Sequence, residues 1–517
     1  ATFVAVGDFD VDVMEAKIRA AFESWEPKAA DGPEPDLGTV APRQPETRIL
    51  VEPGIQSNIQ LNWTKAPDLD PDTVAERRDN LITNLGLAVL NRRLGEISRG
   101  DNPPFTSAGG SASTLVDSLE IASVSASFNP GGWKAALDSI EQEPIQIVLQ
   151  ICLECLHRLS ILAHRPPEEN PGAGAAPRRT PALANGIAGA VNARSVFSSP
   201  QTNLDLFNAA VNGLTAAQVN ASLQTVFTGG GPLALVVTPV EIEGGEAAVT
   251  AALQASRQVP VAAPAAQAAL EWPYTQFGAP GTVANRREIA EVGATVVTFA
   301  NGVRLTVKPT DFRDEQILVS VHTGIGEQGL PTGRSPPRAL ASASVVPGAL
   351  GRLTLDELNR VLNGHVYSAG FNIGSDSYSF SGATRPADLG LELQVLTAYL
   401  TDPGFRPAPF QQIKGLFPQI VAQQMATPGG AFQVQASGLL ASGDKRESFP
   451  TAEEVASWTI EDAKAGVTAG LSTGPIDVVM VGDLTVEDAL PGAGPTPGAP
   501  PWKPSPCAPQ PRCTSRI

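Results

Sequence analysis

The chain has 517 residues, 42% of them hydrophobic and 17% charged, with 46 Pro and 49 Gly. That composition excludes wholesale disorder, and the length points to several domains with at least one linker between them. A formal net charge of -17 sets a repulsive field before phosphate backbones and anionic lipid, which excludes nucleic acid and membrane surfaces as partners.

The first segment reads strand, turn, helix. Phe3-Val4-Ala5-Val6 leads through Gly7-Asp8 to Met14, Ile18, Phe22 and Trp25 at helical spacing, with Asp12 and Glu15 as a capping box. No initiator Met, basic leader or cleavage site precedes it, so the sequence is expected to start inside a structural element. Ile59, Leu61 and Trp63 alternate with polar neighbours as a half-buried strand does. A long helix is predicted from about Asp72 to Ser98, then a strand from Leu119 to Phe128 and a helix from Trp133 to Glu141. Ile145 to Ala163 is apolar but broken by Gln146, Gln150, Glu154, His157 and Arg158, so no membrane span is expected there. Thr215 with Gln218 caps a helix to Phe227, and Leu233 to Val237 reads as a strand.

Residues 241–284 are rich in Ala, Pro and Gly with little periodicity, the composition of an interdomain linker. Beyond them Val297 and Phe299 face Val303, Leu305 and Val307 across Asn301-Gly302, which predicts a hairpin with a type I′ turn. Ile317 to His322 supplies another strand, Thr354 and Glu357 cap a helix, and Phe371 to Ile373 and Tyr378 to Phe380 read as paired strands. Helices are predicted over Leu389 to Leu400, closed by Asp402-Pro403, and over Phe410 to Gln424. Strands and helices mix without a strict βαβ rhythm, which favours an α+β fold. Near the end, Val478-Val479-Met480-Val481-Gly482-Asp483-Leu484-Thr485-Val486 echoes Phe3 to Val11 at a distance of 475 residues, a spacing that suggests a duplicated half rather than a solenoid.

These motifs resemble a family. Val6-Gly7-Asp8-Phe9-Asp10, Leu90-Asn91-Arg92-Arg93-Leu94 with Pro103-Pro104-Phe105, Phe299 to Leu305 with Val307-Lys308-Pro309-Thr310, Ser381 to Thr384, and Ala398 to Pro403 are similar, in order and spacing, to the M16 (pitrilysin/insulinase-like) zinc peptidases. The resemblance implies repeated LuxS/M16 metallopeptidase-like α+β domains, antiparallel sheets with packed helices, in which two halves enclose an unfolded peptide. It implies a second domain over residues 1–240, a linker at 241–284, a third domain over 285–474 and the start of a fourth at 475–517. The chain would then be a fragment, its zinc carried by a domain upstream of Ala1. Its partners would be unfolded peptide and the other M16 half or zinc-bearing domain, in the periplasm or cell envelope. A complete scaffold subunit that binds peptides without hydrolysis is the alternative.

The zinc motif of that family, H-x-x-E-H on a helix, does not occur around His157, His164, His322 or His365. The helix equivalent to the zinc helix is Arg338 to Ser344, which offers no imidazole or carboxylate. No catalytic, cofactor-binding or metal-binding residue is therefore expected, and no cofactor in this chain. Cys152, Cys155, His157 and His164 could form a zinc site, but at such spacings they would crowd one helix. Residues 143–177 and 491–517, where the two Cys pairs lie (Cys507 and Cys513 in the second), lose periodicity and gain Pro and Arg. They read as out-of-frame sequence and are expected to be the least well packed. His322 reads as a strand histidine, His365 as a helix-end cap, and Asp8 and Asp483 as turn residues bonding backbone N–H groups.

Overall fold

The computed structural model describes residues 2–493 except 27–31, 33–36, 39, 42, 54, 101, 116–117, 149–179, 261–269, 279–280, 331–337 and 472–473. Residues 1–98 with 103–265 form one compact unit, and 266–517 with 99–102 another.

The first unit is built on strands β1 (Glu46–Val51), β2 (Asn58–Lys65), β3 (Ser107–Leu115), β4 (Leu119–Ser127) and β5 (Gly230–Thr238), ordered β1-β5-β2-β4-β3. Only β1 and β5 pair in parallel. Its helices are α1 (Val11–Phe22), α2 (Val74–Ser98), α3 (Trp133–Val148), α4 (Thr180–Asn192), α5 (Pro200–Val211), α6 (Ala216–Val226) and α7 (Gly245–Ser256). Ile59 and Leu61 on β2, Val124 on β4 and Val236 on β5 point to one face, where Leu90 and Leu94 of α2, Leu137 of α3 and Leu223 of α6 bury them. This is the alternation that one covered sheet face requires. The expected Thr215/Gln218 capping box is formed.

The second unit has β6 (Val283–Ile289), β7 (Ala294–Phe299), β8 (Arg304–Pro309), β9 (Ile317–Thr323), β10 (Gly370–Ile373), β11 (Tyr378–Thr384) and β12 (Asp477–Gly482), ordered β10-β11-β9-β12-β8-β7-β6. Its helices are α8 (Arg338–Val345), α9 (Leu355–Val361), α10 (Leu389–Thr401), α11 (Pro407–Met425), α12 (Pro428–Leu440), α13 (Ala452–Ser457), α14 (Ile460–Leu471) and α15 (Val486–Ala493). The Thr354/Glu357 box caps α9 as expected. Again one pair is parallel, β12 with β8. Setting β6 and β7 aside, β8-β9-helices-β10-β11-helices-β12-helix repeats the order β1-β2-α2-β3-β4-helices-β5-α7, with the same neighbours. The two units thus share one α+β topology, as the sequence led us to expect.

Four expectations are corrected. Phe3 to Val6 forms no strand, and α1 is capped by Asp10, whose carboxylate accepts from Val13 N at 3.0 Å, not by Asp12 and Glu15. The stretch 241–284 is not all linker: its Ala-rich part folds as α7, burying Val249, Ala252 and Leu253, because Ala is the strongest helix former even where periodicity is faint. Residues 477–493 do not open a further domain; β12 lies between β9 and β8 in the second sheet. The Asn301-Gly302 turn is a three-residue loop closed by Phe299 N to Val303 O at 2.9 Å. Only Gly302 there takes positive φ, so type I′ geometry, which needs two such residues, is not adopted.

The segment 143–177 is partly redrawn. The backbone of α3 continues to Val148, and Glu143 is buried and paired with Arg93 at 3.0 Å. Cys152, Cys155, His157 and His164, and Cys507 and Cys513, lie outside the described residues, as do 149–177 and 494–517, so the expected poor packing there is outside them too.

Candidate functional site

Helices α2 and α8 hold the same place in their units, each following the second strand of the shared order and preceding the edge strand. In both, the helix puts a polar side chain onto that edge strand. Asn91, on α2, donates from Nδ2 to Gly110 O at 3.0 Å and accepts from Gly110 N at 2.6 Å, so its amide pairs with the strand as a neighbouring strand would. The approach is close enough that a Cβ on Gly110 would meet Leu90 Cδ2 at 2.6 Å.

In the second unit Ser342, on α8, accepts from Ile373 N at 3.3 Å. The Gly374 N to Ser377 O bond of 2.9 Å sets the phase of the β10–β11 ladder. By the alternation of antiparallel pairing, the amides of Gly370 and Asn372 face β11, and those of Phe371 and Ile373 face outward. Four residues of β10 therefore form an edge that one serine covers at one amide, a place where an extended backbone can add as a strand.

Helix α8 itself is tied by packing. Leu340, Ala341 and Val345 are buried in the core of the second unit, and α8 rests on α11, α14 and β10. Its sequence, Arg338 to Val345, carries no imidazole or carboxylate, and Arg338 forms an ion pair with the buried Glu327. Burial raises the Glu327 carboxyl and the neighbouring Glu447 adds to the rise, with Arg338 opposing both.

A second polar cluster anchors the lead into β10. Asp388 Oδ1 meets His365 Nδ1 at 2.7 Å, and Asp388 Oδ2 accepts from Val366 N at 2.9 Å and Arg385 Nε at 2.6 Å. Burial pushes the Asp388 carboxyl up, but these donors outweigh it and hold it below the usual range. One turn further along α10, Glu392 is fully buried and accepts from Ser368 N at 3.1 Å, leaving Oε1 unbonded among the described residues. Burial pushes its carboxyl up to about 8, with the Ser368 amide opposing, so at neutral pH it is held as the neutral acid.

His365 is thus a hydrogen-bond partner of Asp388 rather than the helix cap the sequence suggested. His322 lies within β9, with Nε2 2.8 Å from Ser320 Oγ and Nδ1 3.4 Å from Ser377 Oγ, in the strand role expected of it. Asp483 bonds backbone as expected, accepting from Glu315 N at 2.8 Å, and Asp8 is exposed. No group of three His, Cys, Asp or Glu able to hold a metal occurs among the described residues. The roles of Asn91, Ser342 and Glu392 were not read from the sequence; the available signal was a charge, Glu392, on the apolar stripe of a Leu-rich helix.

No protein-family profile matches the chain. A zinc protease PQQL-like protein of Arabidopsis thaliana is 22% identical over 359 residues, covering 67% of this chain and 34% of the relative. Among solved structures, the ferredoxin protease FusC in complex with Arabidopsis ferredoxin superposes with a TM-score of 0.57 at 14% identity, covering 98% of this chain and 56% of that one. The periplasmic protease PqqL of Escherichia coli gives a TM-score of 0.44 at 16% identity over 97% of this chain and 56% of that one. The chain therefore spans about a third to a half of the length of these proteins. No helix among the described residues is long and apolar enough to cross a membrane. The resemblance read from the sequence holds: the chain has the fold of the M16 zinc peptidases and a sequence relative among the zinc proteases.

Proposed function

We propose that the chain is a non-catalytic part of a zinc-dependent M16 endopeptidase, forming part of the wall that encloses an extended peptide. The observation that carries this reading is the pairing of α8 with β10. The helix that stands in the zinc helix's place has Leu340, Ala341 and Val345 in its core contacts and Ser342 toward the strand, while β10 keeps outward amides at Phe371 and Ile373. Zinc hydrolysis needs about three protein ligands and a carboxylate base beside the bound water, and α8 supplies none of these. Strand addition needs only an edge with spare N–H and C=O groups.

On this reading residues 46–256 and 283–493 are the second and third domains of an M16 chain, zinc belongs to a further domain, and the location is the periplasm or cell envelope. The test is direct. Purified chain supplied with zinc should leave an unstructured fluorogenic peptide intact, yet bind the same peptide, labelled, by fluorescence anisotropy. Chelator-sensitive cleavage, lost when His322 or His365 is changed, would overturn the non-catalytic reading. Absence of binding would remove the chamber-wall role.

A further inference from the structure

The lead into β10 is held by a group that can change its hydrogen-bonding character. Glu392 projects from α10, is fully buried, and accepts from Ser368 N at 3.1 Å through Oε2. Ser368 stands two residues before β10 and is tied to β11 by its own side chain, which accepts from Ala383 N at 2.8 Å and donates to Ala383 O at 3.4 Å. The other carboxyl oxygen, Oε1, has no partner among the described residues. It borders the space that a Cβ on Gly382 would fill, and the Ser368 carbonyl oxygen borders the same space. An ionised carboxylate can only accept, so beside a carbonyl oxygen in a dry gap it finds no donor and is costly to bury. A proton on Oε1 removes the conflict, because a carboxylic acid donates through one oxygen and accepts through the other.

In the first unit the Asn91 amide does this with fixed hydrogens, taking both the N–H and the C=O of Gly110. We propose that Glu392 is a carboxylic acid holding the N–H and the C=O of Ser368 as the Asn91 amide holds those of Gly110, and that its proton is a latch on the β10 edge, which loosens when the proton leaves. The latch does not rest on the peptidase reading. The groups around Glu392 offer an ionised form little compensation. Asp388, one turn back on α10, is bonded to His365 and Arg385. Tyr367 in the lead and Tyr399, two turns further along α10, are kept neutral chiefly by burial, and Arg406 acts on Tyr399. Strand β11 presents Ser381, Gly382 and Thr384, and α15, packed on α10, has Glu487 and Asp488 exposed. None of these is a cation paired with Glu392, so the charge left by the departing proton is solvated by opening the lead.

Two measurements on the intact chain test this. The carboxyl carbon resonance of Glu392 should report a neutral acid at neutral pH and titrate near pH 8, the value to which burial pushes it. Amide exchange at Ser368, Gly370 and Asn372 is read as protection factors, which removes the intrinsic rise of exchange with pH. Protection should fall roughly tenfold per pH unit between about 5 and 8 and level off above, because opening releases one proton only where the closed state still holds it. These amides should stay at least about 100-fold less protected than that of Val319 in the central strand β9, as a local opening requires. Glu392→Gln keeps an amide able to hold both groups at every pH, so protection at Ser368 should then be flat across this window. A carboxyl already ionised at pH 6, a flat profile in the parent chain, or the parent's slope retained in Glu392→Gln overturns the latch. Equal protection of Ser368 and Val319 also overturns it, because the opening would then be the unfolding of the whole unit. The parent profile decides the matter even where the variant does not fold.

Discussion

Strands β3 and β10 hold the same edge position in sheets of the same topology, yet they are finished differently. On β3 the Asn91 amide takes both the N–H and the C=O of Gly110. On β10 Ser342 takes a single N–H, and the strand is moored from behind by Asp388 and Glu392 through Val366 and Ser368. An edge strand left bare invites pairing with other chains. One unit closes its edge at the middle, and the other leaves most of its edge to an incoming backbone.

The comparison breaks most visibly at Asn91. Asn91→Leu keeps a helix former of similar size but strips both partners from a buried glycine peptide. The expected cost is roughly 2 to 3 kcal/mol, since each buried group left unbonded costs about 1 to 3 kcal/mol and water recovers part of it. Denaturant unfolding followed by hydrogen exchange at Gly110 checks this, and a loss under about 0.5 kcal/mol would show that the amide pairing is incidental.

The mooring of β10 can titrate, and that of β3 cannot. The Glu392 carboxyl is raised in the folded state, from 4.5 to about 8. Its contribution is therefore fully present below pH 4.5 and is lost as pH rises through about 8, because the unfolded chain releases the proton first. We expect the second unit to lose stability across that window, and Glu392→Gln to flatten the profile while the first unit is unaffected. Equal slopes for parent and Glu392→Gln would refute the assignment. A smaller effect is expected from Gly110→Ala, whose Cβ would press on Leu90 at 2.6 Å; overpacking of one methyl group costs about 1 to 2 kcal/mol.

Sequence periodicity made the helix α2, the strands β2 and β4 and the capped helices at Thr215 and Thr354 legible, because each carries its own signal in side chains a few residues apart. It did not reveal β3, Ser107–Leu115, whose Gly, Ser and Ala have poor strand propensity. That strand exists because Gly109 and Gly110 let α2 approach and Asn91 can reach the backbone, which is a tertiary fact. The motif Val-Gly-Asp was recognised, but its place was not. A strand followed by a helix reads as the start of a domain, whereas here it comes last in its unit and lies inside the sheet, between β9 and β8. The absence of ligating groups on α8 was readable residue by residue, while the Ser342 contact depends on β10 being folded against it.

The finest test lies at Ser342. Ser342→Ala removes one long hydrogen bond, 3.3 Å, from an amide at the sheet edge, so stability should fall by only about 0.5 to 1 kcal/mol. Its effect on peptide binding should have the opposite sign. If an extended peptide adds to β10, its carbonyl must compete with the Ser342 hydroxyl for Ile373 N–H, and removing the competitor leaves that donor for the peptide. About 1 kcal/mol corresponds to a factor of roughly 5 in affinity, so the variant should bind a labelled extended peptide a few-fold more tightly while unfolding slightly earlier. Asn372→Ala is the control, because its amide faces β11 and its side chain is exposed. Unchanged affinity in Ser342→Ala, measured by anisotropy beside an unchanged Asn372→Ala, would place peptide binding somewhere other than the β10 edge.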